Sequence, residues 1–298
     1  MTTTGEFPSP RPSTTRRLAT WLHRRPRTRL AALLAAPVAW LVIAYLGALV
    51  LMFINAFWSR DAFTGQVVRE FTLDNFLELT QDPYPEITLR TLGMAVAVTV
   101  ACALIAFPIA YFMAKIARPR WRGLLVVAVV MPLWASYLVK AYAWRLILAE
   151  EGVLNWMLGP LGLKGPGYGE IAVWLVMTYL WLPFMIIPVY AGLVRIPDSL
   201  LEASADLGGR SWMTFRRVIL PLAFPAVVAG SIFTFSLTLG DYIAVQLVST
   251  TIFIGNAIFL NVGAAGDLPL AAAYSLVPLG IIMVYLFVAR KLGAFEAL

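Results

Sequence analysis

The chain has 298 residues, of which 60% are hydrophobic and 13% charged, and its mean hydropathy is +0.80. Soluble domains carry about twice that charged fraction, so a water-soluble globular fold is excluded and a membrane-embedded one expected. The net charge of +7 does not point to nucleic acid, because seven arginines (Arg11, Arg16, Arg17, Arg24, Arg25, Arg27, Arg29) sit together before the first apolar run, while one cysteine, Cys102, and one histidine, His23, leave no material for an intrachain disulfide or a metal centre.

Residues 1–29, rich in Thr, Pro, Ser and Arg, read as a disordered cytoplasmic tail. Arg16-Arg17 resembles a twin-arginine signal, but the apolar run over 30–58 is longer than the roughly 7–15 residues of a signal core and long enough for the about 20 that span a bilayer. It is read as the first transmembrane helix of a domain covering 30–298. A polar stretch follows, with six acids (Asp61, Glu70, Asp74, Glu78, Asp82, Glu86), in which Asp74 is expected to cap a short helix through Leu79. Five more apolar spans lie over 92–115, 123–142, 171–194, 222–248 and 269–288. Prolines 108, 132, 183, 188, 225 and 278 fall inside them, and each frees a carbonyl that a bilayer tolerates only beside helix neighbours or a water-lined path. Counted over alternate sides, seventeen basic residues face one compartment and five the other, with Lys140 near a boundary. By the positive-inside rule both termini and the 197–221 interval are cytoplasmic.

That interval, the longest polar one in the second half of the chain, carries its own helical pattern. Leu200, Ala203 and Leu207 share one face, Glu202 and Asp206 another. Ser199 and Glu202 have capping-box spacing, which predicts a helix starting at Leu200. Gly208-Gly209 ends it, and Ser211 is placed to cap a second short helix stopping before Pro221. Glu202-Ala203-Ser204, then Gly208, then Val218-Ile219-Leu220-Pro221 resembles the EAA signature (Glu-Ala-Ala, three residues, Gly, nine residues, Ile-x-Leu-Pro) of permease subunits of bacterial ABC importers. Ser204 departs from the second Ala and Val218 from Ile. The resemblance implies an all-α type I importer permease (MetI-like) of six transmembrane helices in the bacterial inner membrane. Its hairpin, through Glu202, Ala203, Ser204, Asp206, Leu207, Gly208, Leu220 and Pro221, would seat in the groove of an ATP-binding cassette ATPase. Glu202 is open to two roles, capping acid and charge contact to the ATPase. Arg216 and Arg217 pair with the ATPase or lipid phosphate, or serve only as positive-inside residues.

The chain holds no nucleotide-binding lysine motif, no Gly-x-Ser-x-Gly and no nucleophile–base set, so energy must come from another polypeptide and no cofactor is expected. Asp241, in Leu239-Gly240-Asp241-Tyr242, is the one acid deep in an apolar span, where a charge costs about 2.5–3.5 kcal/mol. It reads either as a cation site on a translocation path or as a structural acid paired with Lys140 or Arg145. Trp134, Tyr137, Tyr142 and Trp144 form an interfacial belt or, with Tyr242, rings lining that path.

Phe71-Thr72-Leu73-Asp74-Asn75, Ala110-Tyr111-Phe112-Met113-Ala114-Lys115, Pro132-Leu133-Trp134 with Lys140-Ala141-Tyr142, Leu182-Pro183-Phe184-Met185, and Ile254-Gly255-Asn256 ahead of Gly266-Asp267-Leu268-Pro269 are similar to permeases of spermidine/putrescine-type importers. That resemblance implies a small cationic amine as cargo and, as partners, an ATPase dimer, a homologous second permease in a heterodimer, and an extracytoplasmic solute-binding protein. It also implies that the first helix wraps the adjacent permease. Another small polar solute in the same fold, or an ion-coupled secondary transporter, are the rival readings.

Overall fold

The computed structural model describes residues 26–61 and 63–293, so residues 1–25 of the tail expected over 1–29 lie outside the described residues. The chain divides into two units, one ending at Ile54 and one beginning at Asn55. In the first, α1 (Pro26–Trp40) passes through a π turn over Leu41–Leu46 into α2 (Gly47–Asn55). Residues 26–29, expected to belong to the tail, are already helical. None of the described residues of its apolar stretch, Leu33–Asn55, is buried by the chain itself.

The second unit opens with a two-stranded antiparallel hairpin, β1 (Ser59–Arg60) on β2 (Val67–Val68), with Ser59 opposite Val68. Buried Asn75 pins it, donating to the carbonyls of Ala56 (2.9 Å) and Trp58 (2.7 Å). Asn75 lies on α3 (Asp74–Glu78), where Asp74 is the first helical residue and makes no cap; Leu73 holds the N-cap position. The long helices are α4 (Tyr84–Tyr111), extended by a π turn over Phe112–Ile116; α8 (Glu170–Arg195); α11 (Leu220–Gly240); and α14 (Leu268–Lys291). Among the described residues five helices are long and apolar enough to cross a bilayer, or six if the bent pair described next is one span.

That pair is where the expected third span departs most from a straight rod. Helix α5 (Pro119–Trp134) stops, Ala135 and Ser136 go extended, and α6 (Tyr137–Leu148) leaves at 88° to it. Lys140 Nζ folds back onto the Pro132 carbonyl (3.1 Å), placing a cation on the carbonyls that the break leaves unpaired. Beyond it lie α7 (Val153–Leu158) and a glycine-rich turn whose Gly165 amide is held by Asn155 Oδ1 (2.6 Å). The expected fifth span is likewise cut: α11 ends at Gly240 and α12 (Ile243–Val248) restarts beyond Asp241, followed by α13 (Ile254–Gly263), a short apolar helix with no counterpart among the expected spans.

Helices α4, α8 and α11 carry the core, in which Val98, Cys102, Ala106 and Ala110 meet Val173, Val176, Met177 and Leu180. Small residues let the backbones approach, as in membrane helix pairs generally. Gly192 abuts Ala226, and a Cβ on Gly230 would lie 3.2 Å from the Met185 backbone, so α8 and α11 cross where neither tolerates a larger side chain.

Candidate functional site

Two places combine the features read from the sequence. The first is the hairpin of α9 (Asp198–Asp206) and α10 (Ser211–Thr214). The capping box does not form: the helix begins at Asp198, behind Pro197, and no side chain caps it. Lys115 does the anchoring instead. Its side chain is only 10% exposed, and Nζ donates to the Ile196 carbonyl and to Asp198 Oδ1, both at 2.7 Å, tying the end of α4 to the start of α9. This ammonium, first by hydrogen bond and then by charge, holds the Asp198 carboxyl below the usual carboxylate range. At the other end, Gly208 adopts φ +77°, its amide reaching the Ala205 carbonyl (2.9 Å) and that of Gly209 the Ser204 carbonyl (2.8 Å). This paired closure needs a left-handed residue at Gly208. Gly209 is fixed for a separate reason: a Cβ there would meet the Ser204 carbonyl oxygen at 2.6 Å.

Ser204, the departure from the signature's second alanine, bonds through Oγ to Thr214 Oγ1 (2.8 Å) and so staples the two short helices. Leu201 packs on the core, while Leu200, Glu202, Ala203, Asp206, Leu207 and Gly208 all face outward, Leu207 being 90% and Trp212 69% exposed. Among the described residues no hydrogen bond or ion pair holds Glu202. Ser211 is a first-turn residue and not a cap, and Pro221 does not stop the second helix. A π turn over Phe215–Ile219 carries the helix on into α11, whose first turn holds Pro221. Ser211–Gly240 is therefore one apolar helix of 30 residues.

The second place is Asp241. The break after Gly240 turns it off the helix, and its partner is neither Lys140 nor Arg145. Tyr137, at the start of α6, donates its hydroxyl to Asp241 across both oxygens, at 2.7 Å (Oδ1) and 2.6 Å (Oδ2). The Ala244 amide donates to Asp241 Oδ1 and to the Tyr137 oxygen, each at 3.1 Å, so the acid also closes the start of α12. Lys140 is engaged with Pro132. The Tyr137 ring stacks on Trp181 (6.0 Å between centroids), which leads to Phe184 (6.0 Å) and Phe233 (6.4 Å) in a row drawn from α6, α8 and α11. Tyr242 stacks on Phe259 (4.8 Å), and its carbonyl accepts from buried Asn256 (3.0 Å). A Cβ on Gly255 would lie 2.9 Å from the Gly240 carbonyl, so glycine is what lets α13 press against the break. Trp181 Nε1 and Asn256 Oδ1 are buried without a hydrogen-bond partner among the described residues. The structure thus joins Tyr137, Asp241 and Tyr242. Trp134, 87% exposed, and Tyr142, also exposed, stand on the surface of this chain and carry no bond to that group.

Sequence reading missed Trp181, Phe184, Phe233, Asn256 and the Lys115–Asp198 clamp. Ser136 just before α6 and Gly240-Asp241 just before α12 are ordinary helix-start signals, and they mark both breaks. On the side opposite the hairpin, Asp267 caps α14 through the Leu270 amide (3.0 Å) and lies 3.9 Å from Arg60. Burial, and secondarily the charge of Asp267, push the Glu78 carboxyl above its ordinary value.

Residues 106–293 match the family described as "Binding-protein-dependent transport system inner membrane component". The chain is 48% identical over 289 residues to the inner membrane ABC transporter permease protein YdcU of Escherichia coli, covering 92% of each. It is 33% identical over 248 residues to the spermidine/putrescine transport system permease protein PotB of E. coli, covering 80% of this chain and 88% of that one. A bacterial alginate ABC transporter, solved in complex with an alginate pentasaccharide-bound periplasmic protein, has a chain that superposes with a TM-score of 0.68 at 16% identity, covering 93% of this chain and 98% of its own.

Proposed function

The chain belongs to the family of binding-protein-dependent transport system inner membrane components, and from that premise we propose that its path takes a small organic cation of the polyamine type. The observation that carries the choice of cargo is Asp241, a half-buried carboxylate turned off the helix by a break and bonded to Tyr137, whose ring leads through Trp181 to Phe184 and Phe233. A carboxylate binds an ammonium by charge-assisted hydrogen bonds, and ring faces add cation–π attraction of about 0.5–2 kcal/mol each. The 33% identity to a permease named for spermidine and putrescine supports the same reading. One carboxylate is few for a ligand of several charges, so a second, homologous permease supplies the rest and completes the path.

The outward face of Leu200, Glu202, Ala203, Asp206 and Leu207 supports docking of the hairpin on an ATP-binding cassette subunit, with both termini on the same cytoplasmic side. An extracytoplasmic binding protein delivers the solute to the opposite face. Titration calorimetry of the cognate binding protein against spermidine, putrescine and a panel of neutral and anionic solutes tests the cargo. Saturable binding of the amines alone is expected. Binding of a neutral or anionic solute in their place overturns the choice of cargo and leaves the transporter reading standing.

A further inference from the structure

Asp241 is not a free carboxylate. The Tyr137 hydroxyl spans both of its oxygens, the Ala244 amide is shared between the two side chains, and the Tyr137 ring is backed by Trp181. A cation that is to take both oxygens of Asp241 has to displace this hydroxyl, which lies across them. Tyr137 is also the first residue of α6, the segment that leaves α5 at 88°. The bond therefore ties α6 to the junction of α11 and α12, and α11 is continuous with the hairpin at Ser211.

We propose that Tyr137 is a substrate-sensing latch: its hydroxyl holds Asp241 while the path is unloaded, and an incoming ammonium group takes the carboxylate and frees α6 from the α11–α12 junction. This rests on the reading of Asp241 as a path residue. The exchange is selective by its chemistry. An ammonium offers a charged donor to a charged acceptor, a stronger bond than a neutral phenol makes, whereas a neutral solute offers nothing that the phenol does not already supply. Discrimination thus comes from the bond to be broken as well as the bond to be made. Because a ligand shifts a two-state element only by its differential affinity for the two states, the energy of this one bond sets how tightly ATP hydrolysis is tied to cargo.

The test uses the whole importer (this chain with its partner permease, ATPase and binding protein) in proteoliposomes, reading ATP hydrolysis with and without spermidine-loaded binding protein alongside spermidine uptake. Tyr137→Phe keeps the ring on Trp181 and removes only the hydroxyl. Hydrolysis without spermidine is expected to rise by about ten-fold, the effect of losing a hydrogen bond to a charged group, with fewer molecules carried per ATP. Tyr168→Phe, which removes a hydroxyl bonded to the Arg145 carbonyl, leaves both unchanged. If Tyr137→Phe hydrolyses ATP at the wild-type resting rate and stays tightly coupled, the latch is wrong.

Should Tyr137→Phe fail to assemble, cysteines at Tyr137 and Ala244, in a Cys102→Ala background, are bridged by a short bifunctional thiol reagent. Bridging is expected to arrest uptake, and unimpaired uptake in the bridged chain overturns the proposal. Asp241→Asn separates the two ideas. Normal spermidine uptake in that variant removes the path reading and the latch with it, whereas lost uptake beside a tightly coupled Tyr137→Phe removes the latch alone.

Discussion

The hairpin over 197–221 closes on itself. Its glycine turn is bonded to α9, and its staple joins Ser204 to Thr214 only ten residues away. Asp241 takes its bond from Tyr137, 104 residues distant, and the ring behind that bond comes from a third helix. The first arrangement is written in local spacing, the second in how two interrupted helices happen to meet. The hairpin also shows its distinguishing side chains outward, whereas the Asp241 group turns them toward one another. One place is shaped to be met from outside, the other to be opened from within.

Substitutions sharpen that contrast. The largest effect is expected at Asp241→Leu, which strands the Tyr137 O–H as a donor at about 1–3 kcal/mol and leaves the Ala244 amide only its bond to the Tyr137 oxygen. Spermidine uptake by cells expressing it should fall by about a hundred-fold or more, and uptake near wild type would dissolve the distinction between the two sites. Next is Gly209→Val, whose Cβ has no room beside the Ser204 carbonyl. Uptake is expected to drop about ten-fold with loss of ATPase co-purification, while the thermal midpoint of the isolated chain moves by only a few degrees, because the fault stays within one turn.

A smaller effect is expected from acid. The native Asp198 carboxyl sits below its ordinary range, so the Lys115 clamp contributes fully at neutral pH and is lost as the pH falls through that lowered value. Limited proteolysis of the hairpin should quicken below about pH 4, and Asp198→Asn should abolish that dependence. Glu78, raised by burial and by Asp267, carries the opposite sign, its contribution being lost as the pH rises. Least of all is Ser204→Ala, which restores the signature residue at the cost of one exchangeable hydrogen bond, about 0.5–1.5 kcal/mol. A double-mutant cycle with Thr214→Val should find that coupling and little change in transport.

The sequence made the long, uninterrupted helices legible because their apolar runs end at charges or prolines: the span expected over 171–194 is the helix Glu170–Arg195, and the one expected over 269–288 is Leu268–Lys291. The breaks were not legible from hydropathy, since Ala135-Ser136 and Asp241-Tyr242 each lie inside an apolar run long enough for a continuous span. The start of α9 lies at Asp198 and not at the expected Leu200, because Lys115, 83 residues upstream, replaces the expected local cap. The same lack of long-range information offered Lys140 or Arg145 as the partner in the structural reading of Asp241, whereas Lys140 bonds the Pro132 carbonyl and Tyr137 bonds the acid. Hydrophobic order along the chain reports membrane depth well and lateral neighbours poorly.

The continuity of Ser211–Gly240 carries a mechanical implication. Thirty residues at about 1.5 Å each make a rod about 45 Å long. Tilting such a rod by about 5° about the end holding Trp212 swings the far end by roughly 4 Å, more than the whole length of the Tyr137–Asp241 contact. A modest tilt of this lever is geometrically sufficient to part a carboxylate from a phenol at its far end.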